Sequence, residues 1–307
     1  MTDLTAHLAR IPLFAGHRGA VTAVAAAAQP LAGLTNVNHL VEHDGQRYVL
    51  RVPGEGTSDY IDRRAENVAA RAAAAAGVNA AVVFFDPSDG LMLTRFVDGA
   101  ATMDAERFRD LAAVARAGHV LRRLHTTSAR FPVDFRLFPM IDEYKALLAA
   151  NGATLPDGYG DVEHQAVAVR AALEAHPVAF VPSHCDPLCE NFLDTGDHMV
   201  LIDYEYSGNN DPMWDLGDLS VEGSFSSTQD DALLRAYFGG PAPADQVGRM
   251  VAYKALCDLL WTLWGVIQHV NGNTADDFWA YATGRFHRGQ ALMAAHAFVD
   301  HLAAIRG

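Results

Sequence analysis

Two apolar, β-branched runs, 37–43 and 46–52, stand on either side of Asp44-Gly45, which predicts a β-hairpin closed by a two-residue turn. Ahead of them, residues 3–14 read as a short amphipathic helix, and from Ala23 the chain is expected to turn toward strands. After the hairpin, Ser58 or Asp59 is placed to cap a helix that runs through alanine-rich sequence to Gly77, a natural residue for the left-handed position after a helix. Two further strands, 81–85 and 91–96, are joined by Asp86-Pro87-Ser88-Asp89-Gly90. From Asp104 the pattern is helical, over about 104–125, 139–150 and 161–175. Two short apolar runs, 180–182 and 199–202, interrupt it as a hairpin, and helices return over about 229–238, 245–270 and 275–304.

The pattern predicts an α+β chain of two lobes. Residues 1–97 form a small antiparallel-sheet lobe with one helix, and residues 98–307 form a larger, mainly helical lobe. Val97-Asp98-Gly99 is the link between them.

Each run of the interrupting hairpin leads into a polar cluster. The first reads His184-Cys185-Asp186 with Asn191 beyond it, and the second reads Asp203-Tyr204-Glu205. Phosphoryl transfer can use that order of parts. One aspartate accepts the proton of an attacking hydroxyl, while an asparagine and a second aspartate at a strand end share magnesium. The plainer alternative is a hairpin whose polar residues only cap turns.

A sheet lobe, a hinge and a helical lobe bearing these residues form a protein-kinase-like layout, with ATP expected in the cleft. Backbone at Arg95, Phe96 and Val97 would meet the adenine, and the turn Gly33-Leu34-Thr35-Asn36 could lie over the nucleotide. Only Lys145 and Lys254 are lysines, so no lysine in the first lobe can hold a phosphate. Arg51 on the third strand takes that role, paired with Glu66 on the helix, since a guanidinium is a bidentate phosphate ligand that keeps its charge. Arg51 as an ordinary edge-strand arginine is the alternative.

Composition narrows the partners. The 307-residue chain is 50% hydrophobic with a net charge of −14, which argues against nucleic acid and suits a cationic substrate. Three cysteines, Cys185, Cys189 and Cys257, suggest reduced thiols rather than a disulfide framework. Cys185, Cys189 and His184 lack a fourth metal ligand nearby. No signal peptide is visible, and 250–270 carries Lys254, Asp258, Gln268 and His269, so it reads as a buried helix. The expectation is a soluble cytoplasmic protein acting without a membrane, its oligomeric state open and a homodimer included.

Specific segments then carry a resemblance. Leu201-Ile202-Asp203-Tyr204-Glu205-Tyr206-Ser207, Asp215-Leu216-Gly217 with Glu222, Leu260-Trp261-Thr262-Leu263-Trp264-Gly265, Tyr281-Ala282 and Arg285-Phe286 resemble the choline/ethanolamine kinases. These belong to the broader aminoglycoside-phosphotransferase-like small-molecule kinases, and the resemblance spans nearly the whole chain. It implies Asp186 as the catalytic aspartate, Asn191 and Asp203 as magnesium ligands with Glu205 in support, and Asp215 as the carboxylate that fixes the catalytic loop. It also implies a pocket for the ammonium head built from Tyr206, Glu222, Trp261, Trp264 and Tyr281. The sequence departs at Leu188 and Cys189, where relatives often carry polar residues, and at Gly223, where an aromatic is common.

Trp261 and Trp264 share a helix face, which suits either a core or a pocket. A quaternary ammonium cannot donate a hydrogen bond and must be met by aromatic faces and a carboxylate, which these residue types supply. The expected activity is ATP- and magnesium-dependent phosphorylation of a small cationic alcohol, choline first. Ethanolamine, thiamine or an aminoglycoside are rivals, as is a non-catalytic binding protein.

Overall fold

The computed structural model describes residues 3–14, 18–33, 36–54, 57 and 61–306. The chain opens with α1 (Leu4–Ala9), capped by Asp3, whose side chain accepts from the Ala6 amide at 3.1 Å. Helix α2 (Arg18–Ala27) follows where strands were expected from Ala23, since its alanine-rich run favours helix. Strands β1 (Gln29–Leu31), β2 (Val37–His43) and β3 (Gln46–Val52) come next, with the predicted hairpin turning through Asp44 and Gly45, both at positive φ.

Helix α3 (Arg63–Ala75) is capped by Asp62, whose carboxylate accepts the Arg64 and Ala65 amides at 3.0 Å. The sequence-predicted caps Ser58 and Asp59 lie outside the described residues; Asp62 does the work. Strands β4 (Val82–Phe85) and β5 (Met92–Arg95) complete an antiparallel sheet of order β1-β2-β3-β5-β4. Between β4 and β5 the turn ends at Gly90, with φ +89°, where a Cβ would lie 2.6 Å from Arg63 Cδ.

The remainder is mainly helical. It runs through β6 (Ala101–Thr102), α4 (Leu111–His125), α5 (Leu137–Ala150), α6 (Tyr159–Ala175), β7 (Val181–Ser183), β8 (Phe192–Asp194), β9 (Met199–Leu201) and β10 (Gly208–Asn210). It closes with α7 (Pro212–Glu222), α8 (Ser227–Phe238), α9 (Ala244–Val270), α10 (Phe278–Ala294) and α11 (His296–Ile305). The two apolar runs expected to form one hairpin do not pair. β7 pairs with β10, Ser183 opposite Gly208, while β9 pairs with β8 across the turn 194–199. The predicted helix over 275–304 is broken at Ala295, and α7 was not foreseen.

Two apolar clusters hold the chain. Leu8, Ile11 and Phe14 pack on Val41, Tyr48, Leu50 and Leu93 of the first sheet. Ala69, Ala70 and Ala73 of α3, with Val78, instead join the larger cluster around Leu121, Leu124 and Leu201. Thus α3 is anchored in the helical part while Glu66 faces β3. Helix α9 is packed against α7, α10, α11 and α5. It is long and apolar enough to cross a membrane, but 78% of its apolar window is buried, as a core helix requires.

Candidate active site

The chain leaves β7 at Ser183 and bends through Cys185, which sits at φ +69°. A left-handed conformation in a residue with a Cβ costs on the order of 1–2 kcal/mol and must be held by its surroundings. Asp215, one turn into α7 and fully buried, holds it: its carboxylate accepts the His184 amide at 2.7 Å and the Cys185 amide at 2.8 Å. His125 of α4 meets the same carboxylate at 2.9 Å, and Trp214 Nε1 donates to the Cys185 carbonyl at 3.0 Å. The loop-fixing role expected of Asp215 is therefore present as geometry. Asp186 follows, and burial, then the negative charges of Asp203 and Glu222, push its carboxyl well above the usual range.

Asn191 stands at the foot of β8. Its amide nitrogen donates to the Asp186 carbonyl at 3.1 Å, so its amide oxygen is the atom left for a cation, and its backbone carbonyl accepts the Ile202 amide at 2.9 Å. This brings Asp203, at φ +69°, beside the loop of Asp186. Burial and the neighbouring Glu205 raise the Asp203 carboxyl to about 7, and its buried Oδ1 has no hydrogen-bond partner. Glu66, Asp203 and Glu205 offer oxygens within 4.8 Å of one another, a donor set that fits a hard divalent cation. Among the described residues, His184, Cys185 and Cys189 form no such group; all three cysteines are buried free thiols.

Arg51 is 4% exposed, which rules out the edge-strand surface alternative. It pairs with Glu66, lies 3.7 Å from Asp203, and donates to the Gly90 carbonyl at 3.1 Å. A second arginine, Arg63, escaped the sequence reading. It donates to Glu66 at 2.8 Å, to Glu205 at 2.6 Å and to Thr57 Oγ1 at 2.6 Å. Its place three residues before Glu66, on one face of α3, is the signal that could have found it. Asn36 also donates to Glu205, at 2.8 Å, so this carboxylate of the helical part is gripped by the sheet part. Arg95, by contrast, turns its side chain away, over the Tyr48 ring and onto Gln46, and the backbone amides of Arg95 and Phe96 donate to the Ala81 and Arg47 carbonyls.

The aromatic residues converge. Tyr206 meets Trp261 edge-on at 5.9 Å, Trp261 meets Trp264 at 6.2 Å, and Trp264 meets Tyr281 at 5.7 Å. Trp261 belongs to the core, while Tyr206, Trp264 and Tyr281 are half-buried against it. Glu222 is paired: Arg285 meets its carboxylate and lies 4.6 Å above the Tyr281 ring. Burial pushes the Tyr281 hydroxyl up, and the negative charges of Glu222 and Asp186 add to it. A cleft of about 260 Å³ beside Tyr206 is lined by Asp62, Asp134, Glu143 and Glu205 against the single arginine Arg136, a field that favours a cation.

Known proteins share this arrangement. The model of the phosphotransferase enzyme family matches residues 27–247. A choline/ethanolamine kinase family protein from Mesorhizobium loti superposes with a TM-score of 0.88 and 52% identity, over 98% of this chain and 97% of that one. Choline kinase LicA from Streptococcus pneumoniae superposes with a TM-score of 0.74 and 27% identity, over 87% of this chain and 92% of its own. A LicA structure in complex with AMP gives 0.68 and 26%, over 91% of each chain. The chain belongs to the phosphotransferase enzyme family and to the choline/ethanolamine kinases: on a protein-kinase-like fold it binds nucleotide and phosphorylates the alcohol of a small molecule.

Proposed function

We propose that this enzyme phosphorylates choline with magnesium-bound ATP, giving phosphocholine. The observation that carries the reading is the line of rings, Tyr206, Trp261, Trp264 and Tyr281, with Tyr206 lining an acidic cleft. A trimethylammonium group is attracted to aromatic faces and to negative field, and asks for no acceptor. The name of the S. pneumoniae relative, a choline kinase, supports the same substrate.

Asp186 orients the hydroxyl and takes its proton, its raised basicity matching that task. Asn191 and Asp203 would hold the magnesium, and Glu205, engaged by Asn36 and Arg63, supports them from behind. Magnesium-ATP, when bound, supplies the phosphoryl group and a charge that offsets its oxygens. Arg51, fixed by Glu66, faces Asp203 and presents a permanent positive charge to the phosphates. Val97-Asp98-Gly99 is the hinge of this reading, dividing a nucleotide lobe at 1–97 from a substrate lobe at 98–307. The enzyme is cytoplasmic in this account, where ATP is supplied.

The test is ADP release with magnesium-ATP across choline, ethanolamine, thiamine and kanamycin. Choline should give the highest kcat/KM. A higher kcat/KM for ethanolamine, thiamine or kanamycin than for choline would overturn the reading.

A further inference from the structure

Acidic residues fall at 211, 215, 218 and 222, the cap and successive turns along one face of α7. Asp211 holds Arg249 at 2.8 Å and Tyr253 at 3.0 Å, Asp215 holds the catalytic loop, and Glu222 holds Arg285. Asp218 has no such cation. It is fully buried, forms no ion pair among the described residues, and its Oδ1 accepts only the Cys257 thiol, at 2.8 Å. Its Oδ2 is buried with no partner at all.

A second orphan lies on α9. Trp261 stands one turn beyond Cys257 on α9, and its buried Nε1 has no acceptor. Asp218, Glu222 and Cys257 bring their polar atoms within 4.8 Å of one another, and the charges of Glu222 and Asp186 both act on Asp218. Asp218 therefore stands beside Glu222, whose partner Arg285 lies over the Tyr281 ring. A metal is a poor occupant: burial pushes the Cys257 thiol well up, so it stays protonated and donates to Asp218. Buried polar atoms are normally paired, so an unpaired buried acceptor asks for a donor, which a ligand's N–H can supply.

We propose that Asp218 is a specificity-determining residue, its free oxygen accepting an N–H from the substrate's ammonium head. Amino alcohols that keep an N–H, ethanolamine first, gain there a hydrogen bond that quaternary choline cannot make. Glu222 cannot supply it, because its charge is committed to Arg285. This rests on the reading of the protein as an amino-alcohol kinase.

The experiment compares kcat/KM for ethanolamine, N,N-dimethylethanolamine and choline in the native enzyme and in Asp218→Asn, an isosteric change that removes the charged acceptor. A hydrogen bond to a charged group is worth about tenfold to a hundredfold, so the ethanolamine-to-choline ratio should fall by about tenfold or more. N,N-dimethylethanolamine, with one N–H left, should follow ethanolamine. An unchanged ratio overturns the assignment. Failure of the native enzyme to turn over any of the three overturns the kinase reading itself, and this inference with it.

Discussion

Asp215→Asn should cripple the catalytic loop. The native carboxylate accepts two adjacent backbone amides, at 2.7 and 2.8 Å, and the ring of His125 at 2.9 Å, all buried. An asparagine keeps one acceptor oxygen and sets an NH2 where the other oxygen was, facing N–H donors. His125 can adapt by exchanging tautomers with Tyr237, which lies 2.9 Å from its other nitrogen. A backbone amide cannot adapt. One orphaned amide costs about 1–3 kcal/mol, and losing the charge weakens the surviving bond, for a total of about 3 kcal/mol. At about 2–4 °C per kcal/mol for a chain of this class, Tm should fall by roughly 6–12 °C. The strained Cys185, no longer held at φ +69°, would relax and carry Asp186 out of line. Misplacing a base typically costs about a hundredfold, so kcat should fall by about that factor while the KM for ATP changes little. Differential scanning fluorimetry and steady-state ADP release on one preparation supply both numbers. A variant with native kcat would refute the argument that Asp215 positions the base, whatever its Tm.

Asp186→Asn should lower kcat by about a hundredfold or more with nucleotide affinity retained, and near-normal kcat would remove Asp186 from the role of base. Asp203→Ala should abolish turnover without rescue by excess magnesium; calorimetry showing native magnesium-ATP affinity would end its assignment as a ligand. Trp264→Ala should raise the KM for choline about thirtyfold, the equivalent of a desolvated cation–π contact near 2 kcal/mol, and leave the KM for ATP alone. A large drop in Tm with native choline KM would instead make Trp264 a packing residue.

Local rules carried much of the fold. Asp44-Gly45 specified the first hairpin because a two-residue turn leaves no freedom of register, and α9 was legible from one long apolar run with few charges. Pairing across distance was not legible. β10 reads Gly208-Asn209-Asn210, with no strand propensity, and is held by the Asn209 side chain bonding Phe131, Val133 and Asp134. Helix α7 did announce itself through Asp211-Pro212, a cap followed by proline in the first turn, but its acidic face dilutes the apolar period. The site shows the same division. Asp186, Asn191 and Asp203 lie in one short stretch of sequence and could be read together, whereas the Arg285 that occupies Glu222 lies 63 residues away.

Gly90 lends the nucleotide site an unexpected dependency. The turn it ends is tied from one side by Arg10, which reaches Asp86 at 2.5 Å and Asp89 at 2.6 Å. From the other side its carbonyl receives Arg51, and the stem of Arg63 crosses where a side chain would project. An alanine there must displace Arg63, and Arg63 in moving lets go of Glu205, 142 positions further along the chain. A surface turn without a reacting atom is thus wired to the acidic end of the cleft, and tolerance maps of this enzyme should show a lesion at Gly90 behaving like damage at Glu205 rather than like a loosened loop.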